Sequence, residues 1–119
     1  MNVASPHSTP VLPWGWRTMW VIAMFDLPTD TKAARKAYAR FRKDLLDDGF
    51  TMTQFSVYSR HCASSENAEV HIARMGKKLP PAGEVRFLTI TDRQFSRTRV
   101  FRGKKRANTP PSPSQLELF

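Results

Sequence analysis

MWVIAMFDLPTD, residues 19 to 30, begins with seven apolar side chains in succession, Met19 to Phe25, and then delivers one carboxylate, Asp26. An unbroken apolar run of this length, stopped by Pro28, predicts a strand covered on both faces. Such a strand cannot slip without exposing its side chains, so the residue at its end is held in a fixed place.

Beyond Pro28, Thr29 or Asp30 can cap a helix in which Ala34, Tyr38, Phe41 and Leu45 form one apolar stripe, with Lys32, Arg35, Lys36, Arg42 and Lys43 on the opposite side. Gly49 ends that helix as a left-handed terminal residue. FTMTQFSVYSRHC, residues 50 to 62, is rich in Thr, Phe, Val and Tyr and reads as a single second strand, long enough to bend. Ser64 or Ser65 then caps a second helix with Glu66 at its positive end and a stripe of Ala68, Ile72, Met75 and Leu79, ended by Pro80, Pro81 and Gly83. EVRFLTIT (84–91) is the third strand and RTRVFRG (97–103) the fourth.

Each helix has only one apolar stripe, so both lie on the same side of the sheet. The expectation is an α+β fold: a ferredoxin-like βαββαβ-type sandwich with a four-stranded antiparallel sheet and two helices on one face. The other face of Met19 to Phe25 must also be hidden. A second copy of the chain is expected to cover it, giving a two-fold homodimer joined through the sheets.

A chain of 119 residues, 40% hydrophobic and 11% aromatic, suffices for one core. Residues 1–16, with Pro6, Pro10 and Pro13, read as a flexible arm in which Trp14 and Trp16 pack against the domain or a partner; 17–103 are the folded nucleic-acid-binding domain; 104–119 are a basic, Pro-rich tail ending in a short apolar docking segment. Nineteen Lys and Arg against ten Asp and Glu leave a net charge of +9, which attracts polyanions, nucleic acid first among them. Seven basic residues and no acid lie between Arg93 and Arg106. The lone cysteine, Cys62, excludes an intramolecular disulfide and reads as a buried filler. No apolar run reaches the roughly 20 residues of a membrane span, and no secretory signal is visible, so a cytoplasmic location is expected. His61, Cys62 and His71 match no zinc spacing, and there is no Gly-rich phosphate loop.

A carboxylate on a rigid strand end can mount a hard cation such as Mg²⁺. An Asp ahead of Pro-Thr-Asp can equally form a turn or cap. One Asp makes a poor metal site, but a two-fold axis near this strand end would bring two copies of Asp26 together. No second acid or matched His is evident near Asp26, which favours binding over hydrolysis as the main task.

MFDLPTDTKAARKAYARFRKDLLDDGF (24–50) followed by TQFSVYSR (53–60) resembles the CRISPR-associated protein two family, the small adaptation subunit, in the form that accompanies single-effector systems. The similarity runs from Trp14 to Arg102. It implies a ferredoxin-like homodimer that acts as a metal-dependent endoribonuclease or endonuclease and bridges two dimers of the CRISPR integrase subunit during spacer acquisition. Asp26 matches the family's catalytic and metal-binding aspartate, with one Mg²⁺ per dimer between the two Asp26 carboxylates. Double-stranded DNA, and single-stranded RNA as a cleavage substrate, are the implied polyanions, with Arg35, Arg60, Arg97, Arg99 and Arg102 as expected phosphate contacts. The alternative is a stand-alone metal-dependent endoribonuclease of the toxin-like interferase type. In such a family the tail adds a strand to a neighbouring protomer or to the integrase, and Gln115, Leu116, Leu118 and Phe119 are its expected docking residues. The same QLELF is similar to peptides that dock on the bacterial sliding clamp.

Overall fold

The computed structural model describes residues 17–103. The expected arm and tail, with Trp14, Trp16 and the docking residues Gln115, Leu116, Leu118 and Phe119, lie outside them. The elements are β1 (Met19–Asp26), α1 (Lys32–Asp47), β2 (Thr51–Gln54), β3 (Val57–Cys62), α2 (Ser65–Gly76), β4 (Glu84–Thr91) and α3 (Asp92–Ser96). The strands form one sheet in the order β2-β3-β1-β4, and every pair is antiparallel. The fold is α+β with the βαββαβ sandwich arrangement.

β1 is central, and its side chains alternate. Met19, Val21, Ala23 and Phe25 are buried against the helices with Phe41, Leu45, Tyr58, Ala68 and Met75. Trp20, Ile22 and Met24 point to the other side and are only half-buried. Among the described residues, therefore, the apolar run is fully covered on one face and half-covered on the other.

Local chemistry explains the helix ends. The α1 cap is Thr31 instead of Thr29 or Asp30: its extended backbone lets its hydroxyl accept from Ala34 N at 3.0 Å. Gly49, at φ +98°, turns the chain after α1, and Phe50 N donates back to Leu45 O at 3.0 Å. Ser64 caps α2 by accepting from Asn67 N. This helix ends at Gly76, so Leu79 falls off the stripe and is exposed, while His71 takes a buried position.

The four strands are not quite those expected. Residues 50–62 form the hairpin β2–β3, turning through Phe55 and Ser56, and Ser56 sits at φ 61°. A non-glycine residue there costs about 1–2 kcal/mol. Two contacts from outside the hairpin offset it: Ser56 O accepts from Phe25 N at 3.1 Å, and Ser56 Oγ bonds Tyr38 Oη at 3.0 Å. RTRVFRG is not the fourth strand. Thr91 and Gln94 close a capping box that starts α3 directly after β4; Arg97 caps that helix, and residues 98–103 have no regular structure.

A buried polar junction locks α1 to α2. The Asp48 carboxylate, with its side chain 3% exposed, accepts from Arg74 Nη1 at 2.6 Å and pairs with His71 Nδ1 at 2.8 Å. Removing one partner of a buried pair leaves the others unsatisfied, so Asp48→Ala is expected to cost about 3 kcal/mol in urea unfolding. Asp47→Ala, which breaks only the exposed Lys43–Asp47 pair, should cost under about 1 kcal/mol.

Candidate active site

Asp26 is fixed by its neighbours in sequence. Phe25 packs edge-on against Phe41 (5.3 Å, 89°) and Tyr38 (5.7 Å, 64°) and stacks on Tyr58, while Leu27 on the other side is also buried. Burial of both flanking side chains directs the intervening carboxylate away from the core, onto the side of the sheet that carries Trp20, Ile22 and Met24. The Ser56 turn holds one side of this strand end. Gly83 holds the other: at φ +94°, any Cβ would sit 2.6 Å from Asp26 O and 2.7 Å from Leu27 Cδ2. Only glycine allows the start of β4 to come this close.

The Asp26 carboxylate is exposed and makes no hydrogen bond or ion pair with the described residues. Its antiparallel partner is Glu84, and Met24 faces Arg86. A shallow cleft of about 210 Å³ is lined by Met24, Phe25, Asp26, Glu84 and Arg86. The expectation that no second acid lies near Asp26 is thus corrected. Glu84 is far from it in sequence, and only the β1–β4 register brings it alongside.

An all-oxygen donor set suits a hard cation. Among the described residues, however, no group of three or more His, Cys, Asp or Glu could hold a metal ion. The described residues of one chain offer the right donor chemistry in too small a number. Cys62 is buried, and burial pushes its thiol pKa up against the opposing influence of Arg60, so it is no nucleophile at neutral pH.

The five arginines fall into three places. Arg35, in the first turn of α1, is exposed and donates from Nη1 to Thr29 O at 3.1 Å, which keeps it by the loop that follows Asp26. Arg60 is half-buried on the helix side of β3; its Nε donates to Asp48 O and its Nη1 to His61 O, both at 2.7 Å, so these donors tie the α1 terminus to the sheet. Arg97, Arg99 and Arg102 are exposed. Arg99 and Arg102 line a groove of about 430 Å³ on the open face of the sheet, with Ile22, Val57, Ile90 and Phe101.

Next to this groove, at the end of the face away from Asp26, α3 folds over Trp20, and its Phe95 lines the groove as well. Phe95 stacks on the indole at 3.9 Å and 13°, and Trp20 Nε1 donates to Asp92 Oδ1 at 2.7 Å. This cluster is not among the sequence expectations, although Thr91-x-x-Gln94 carries the capping-box signature.

The family model described as CRISPR associated protein Cas2 matches residues 19–98. The chain is 76% identical over 101 residues to the "CRISPR-associated endoribonuclease Cas2" of Parvibaculum lavamentivorans, covering 85% of this chain and 100% of that protein. It is 51% identical to the protein of the same name from Flavobacterium psychrophilum, covering 87% of this chain and 90% of that protein. A crystal structure of Streptococcus pyogenes Cas2 superposes with a TM-score of 0.55 at 20% identity, over 70% of this chain and 99% of that one, which supports the fold.

Gly83→Ala should cost about 2 kcal/mol, because it adds strain at positive φ and displaces backbone at Asp26. Gly76→Ala, in α2 with nothing within 4 Å of the added Cβ, should instead stabilise by up to about 1 kcal/mol. Thermal melts of the two variants check both signs.

Proposed function

This chain belongs to the CRISPR-associated protein Cas2 family, and from that premise we propose that it is a homodimeric adaptation subunit, carrying a metal-dependent endoribonuclease centre at paired Asp26 residues and a positive surface for duplex DNA. One observation carries the reading: the free carboxylate of Asp26 continues the outward row of Trp20, Ile22 and Met24. A face that is apolar in its middle seeks a partner, and Leu88 and Phe101 remain 49% and 83% exposed on or beside it. If a second copy covers this face, the same contact brings two Asp26 carboxylates towards a common axis and completes the donor set that the described residues of one chain lack.

In that dimer the two Asp26 side chains would hold one divalent cation, Mg²⁺ being the expected one. When bound, such a cation polarises the scissile phosphate and lowers the pKa of an attacking water. The residues of the chain do the rest. Phe25 and Leu27 keep the carboxylate pointed outward, and the basic side chains hold the polyanion by its phosphates without reading sequence. The names of the relatives support endoribonuclease activity, on single-stranded RNA in the simplest form. The net charge supports duplex binding and, through it, the bridging of integrase dimers in the cytoplasm, for which Gln115, Leu116, Leu118 and Phe119 are proposed as a docking strand. No helix among the described residues is long and apolar enough to cross a membrane.

The α1 terminus supports polyanion binding independently. Lys32, Arg35 and Lys36 crowd the positive end of the helix dipole, and its first turn contains no acid. Each cation there opposes folding by about 0.3–1 kcal/mol. A helix selected for stability alone would carry acids in these places. Arg35, Arg97, Arg99 and Arg102 are therefore the proposed phosphate contacts, and Arg60 contributes charge while its donors stay committed to the fold.

Asp26→Asn should abolish Mg²⁺-dependent RNA cleavage and leave duplex affinity within about twofold, since it removes no cation. Cleavage by the variant at the wild-type rate would refute the active-site assignment. The double variant Lys32→Glu/Lys36→Glu should melt at higher temperature yet bind duplex DNA more weakly, with a salt dependence shallower by about 0.9 for each phosphate that is no longer neutralised.

A further inference from the structure

The outward row at the Asp26 end of the sheet contains one cation, Arg86. Its guanidinium does not reach Asp26. It turns instead to Glu84, with Nε 2.9 Å and Nη2 2.7 Å from the same oxygen, Glu84 Oε1. Both side chains are largely exposed, at 71% and 66%, and an exposed pair of this kind adds little to stability. A charged pair on an edge strand can serve simply to discourage sheet-to-sheet pairing. The register argues for more than that. Asp26 faces Glu84 across the ladder, Arg86 lies two residues further along β4 on the same side, and all three line one cleft. An arginine this close to an unpartnered carboxylate would ordinarily close on it. Here a second carboxylate takes the guanidinium, and Asp26 stays open.

We propose that Arg86 positions a substrate phosphate beside Asp26 and that Glu84 holds the guanidinium off the Asp26 carboxylate, so that cation-binding and phosphate-binding groups stay separate in one cleft. This rests on the reading of Asp26 as the metal-holding residue. Glu84 occupies Nε and one terminal nitrogen of Arg86, and the remaining N–H donors of this exposed guanidinium make no hydrogen bond among the described residues, which leaves them for a phosphodiester oxygen. An edge strand leaves room for the substrate backbone to approach along β4.

The test uses the full chain, a single-stranded RNA oligonucleotide and Mn²⁺, with metal binding followed by electron paramagnetic resonance and RNA binding titrated against salt. Arg86→Ala should keep Mn²⁺ affinity within about twofold. It should also raise the KM for RNA and make the slope of log affinity against log salt shallower by about 0.7, one phosphate contact on a single strand. Glu84→Gln should weaken Mn²⁺ binding about fivefold as the released guanidinium competes at Asp26. Adding Arg86→Ala to it should restore the wild-type affinity. An unchanged KM and salt slope in Arg86→Ala would overturn the phosphate role. A double variant as weak for Mn²⁺ as Glu84→Gln would overturn the holding role, because the missing affinity would then be that of Glu84's own charge. Wild-type Mn²⁺ binding that survives Asp26→Asn would remove the premise about Asp26, and the RNA salt slope would still decide for or against Arg86.

Discussion

Two buried side chains, Phe25 and Leu27, fix the direction of the carboxylate between them. Phe25 meets three aromatic rings in the core, from Tyr38, Phe41 and Tyr58. For Asp26 to turn inward, β1 would have to shift by one residue, and Met19, Val21 and Ala23 would leave the core with Phe25. Trp20, Ile22 and Met24 would take their places, and the shift is disfavoured because it would overpack the space that Ala23 fills and bury the carboxylate without a partner. The proposed centre is thus mounted on the central strand of the sheet, where the alternation that builds the core also places the acid on the open side.

Other features show the fold giving up stability in favour of charge placement. The cations at the start of α1 oppose its dipole, and the three acids at its end, Asp44, Asp47 and Asp48, do the same from the other side. Asp48 is rescued because Arg74 and His71 converge on its carboxylate, while the Arg60 guanidinium caps its carbonyl. Among the described residues no acid pairs with Lys32, Arg35 or Lys36 at the other end, and Arg35 is held only by its hydrogen bond to Thr29 O. The asymmetry fits a surface under selection for a polyanion, with the acid end repaired by tertiary contacts and the basic end left open.

Much of the fold is legible in the sequence because hydrophobic periodicity reports directly on burial. β1, α1, α2 and β4 follow from their apolar spacing, and Asp26 stands out as the first charge after the longest apolar run. What stays hidden depends on contacts between distant residues. The turn at Phe55–Ser56 carries no Gly, Asn or Pro, since its strained residue is held by Tyr38 and Phe25. RTRVFRG has the composition of a strand, yet the capping box just before it starts a helix and leaves it outside the sheet. Glu84 and Arg86 become part of the site only through strand register, which no local pattern encodes. Arg60 looks like any surface cation in the sequence, because its inward orientation follows from hairpin pairing within a stretch that reads as one strand.

The paired-acid centre requires that the open face of the sheet be the surface that meets a second copy. Sedimentation of the full chain and of two single variants tests this directly. Ile22→Asp places a charge in the middle of the open face, and Val70→Asp places one on the exposed side of α2. The wild-type protein and Val70→Asp should sediment at twice the mass of the chain, and Ile22→Asp at the mass of one folded chain. A wild-type protein that sediments as a single chain, or a pair that survives Ile22→Asp and is broken by Val70→Asp, would contradict it.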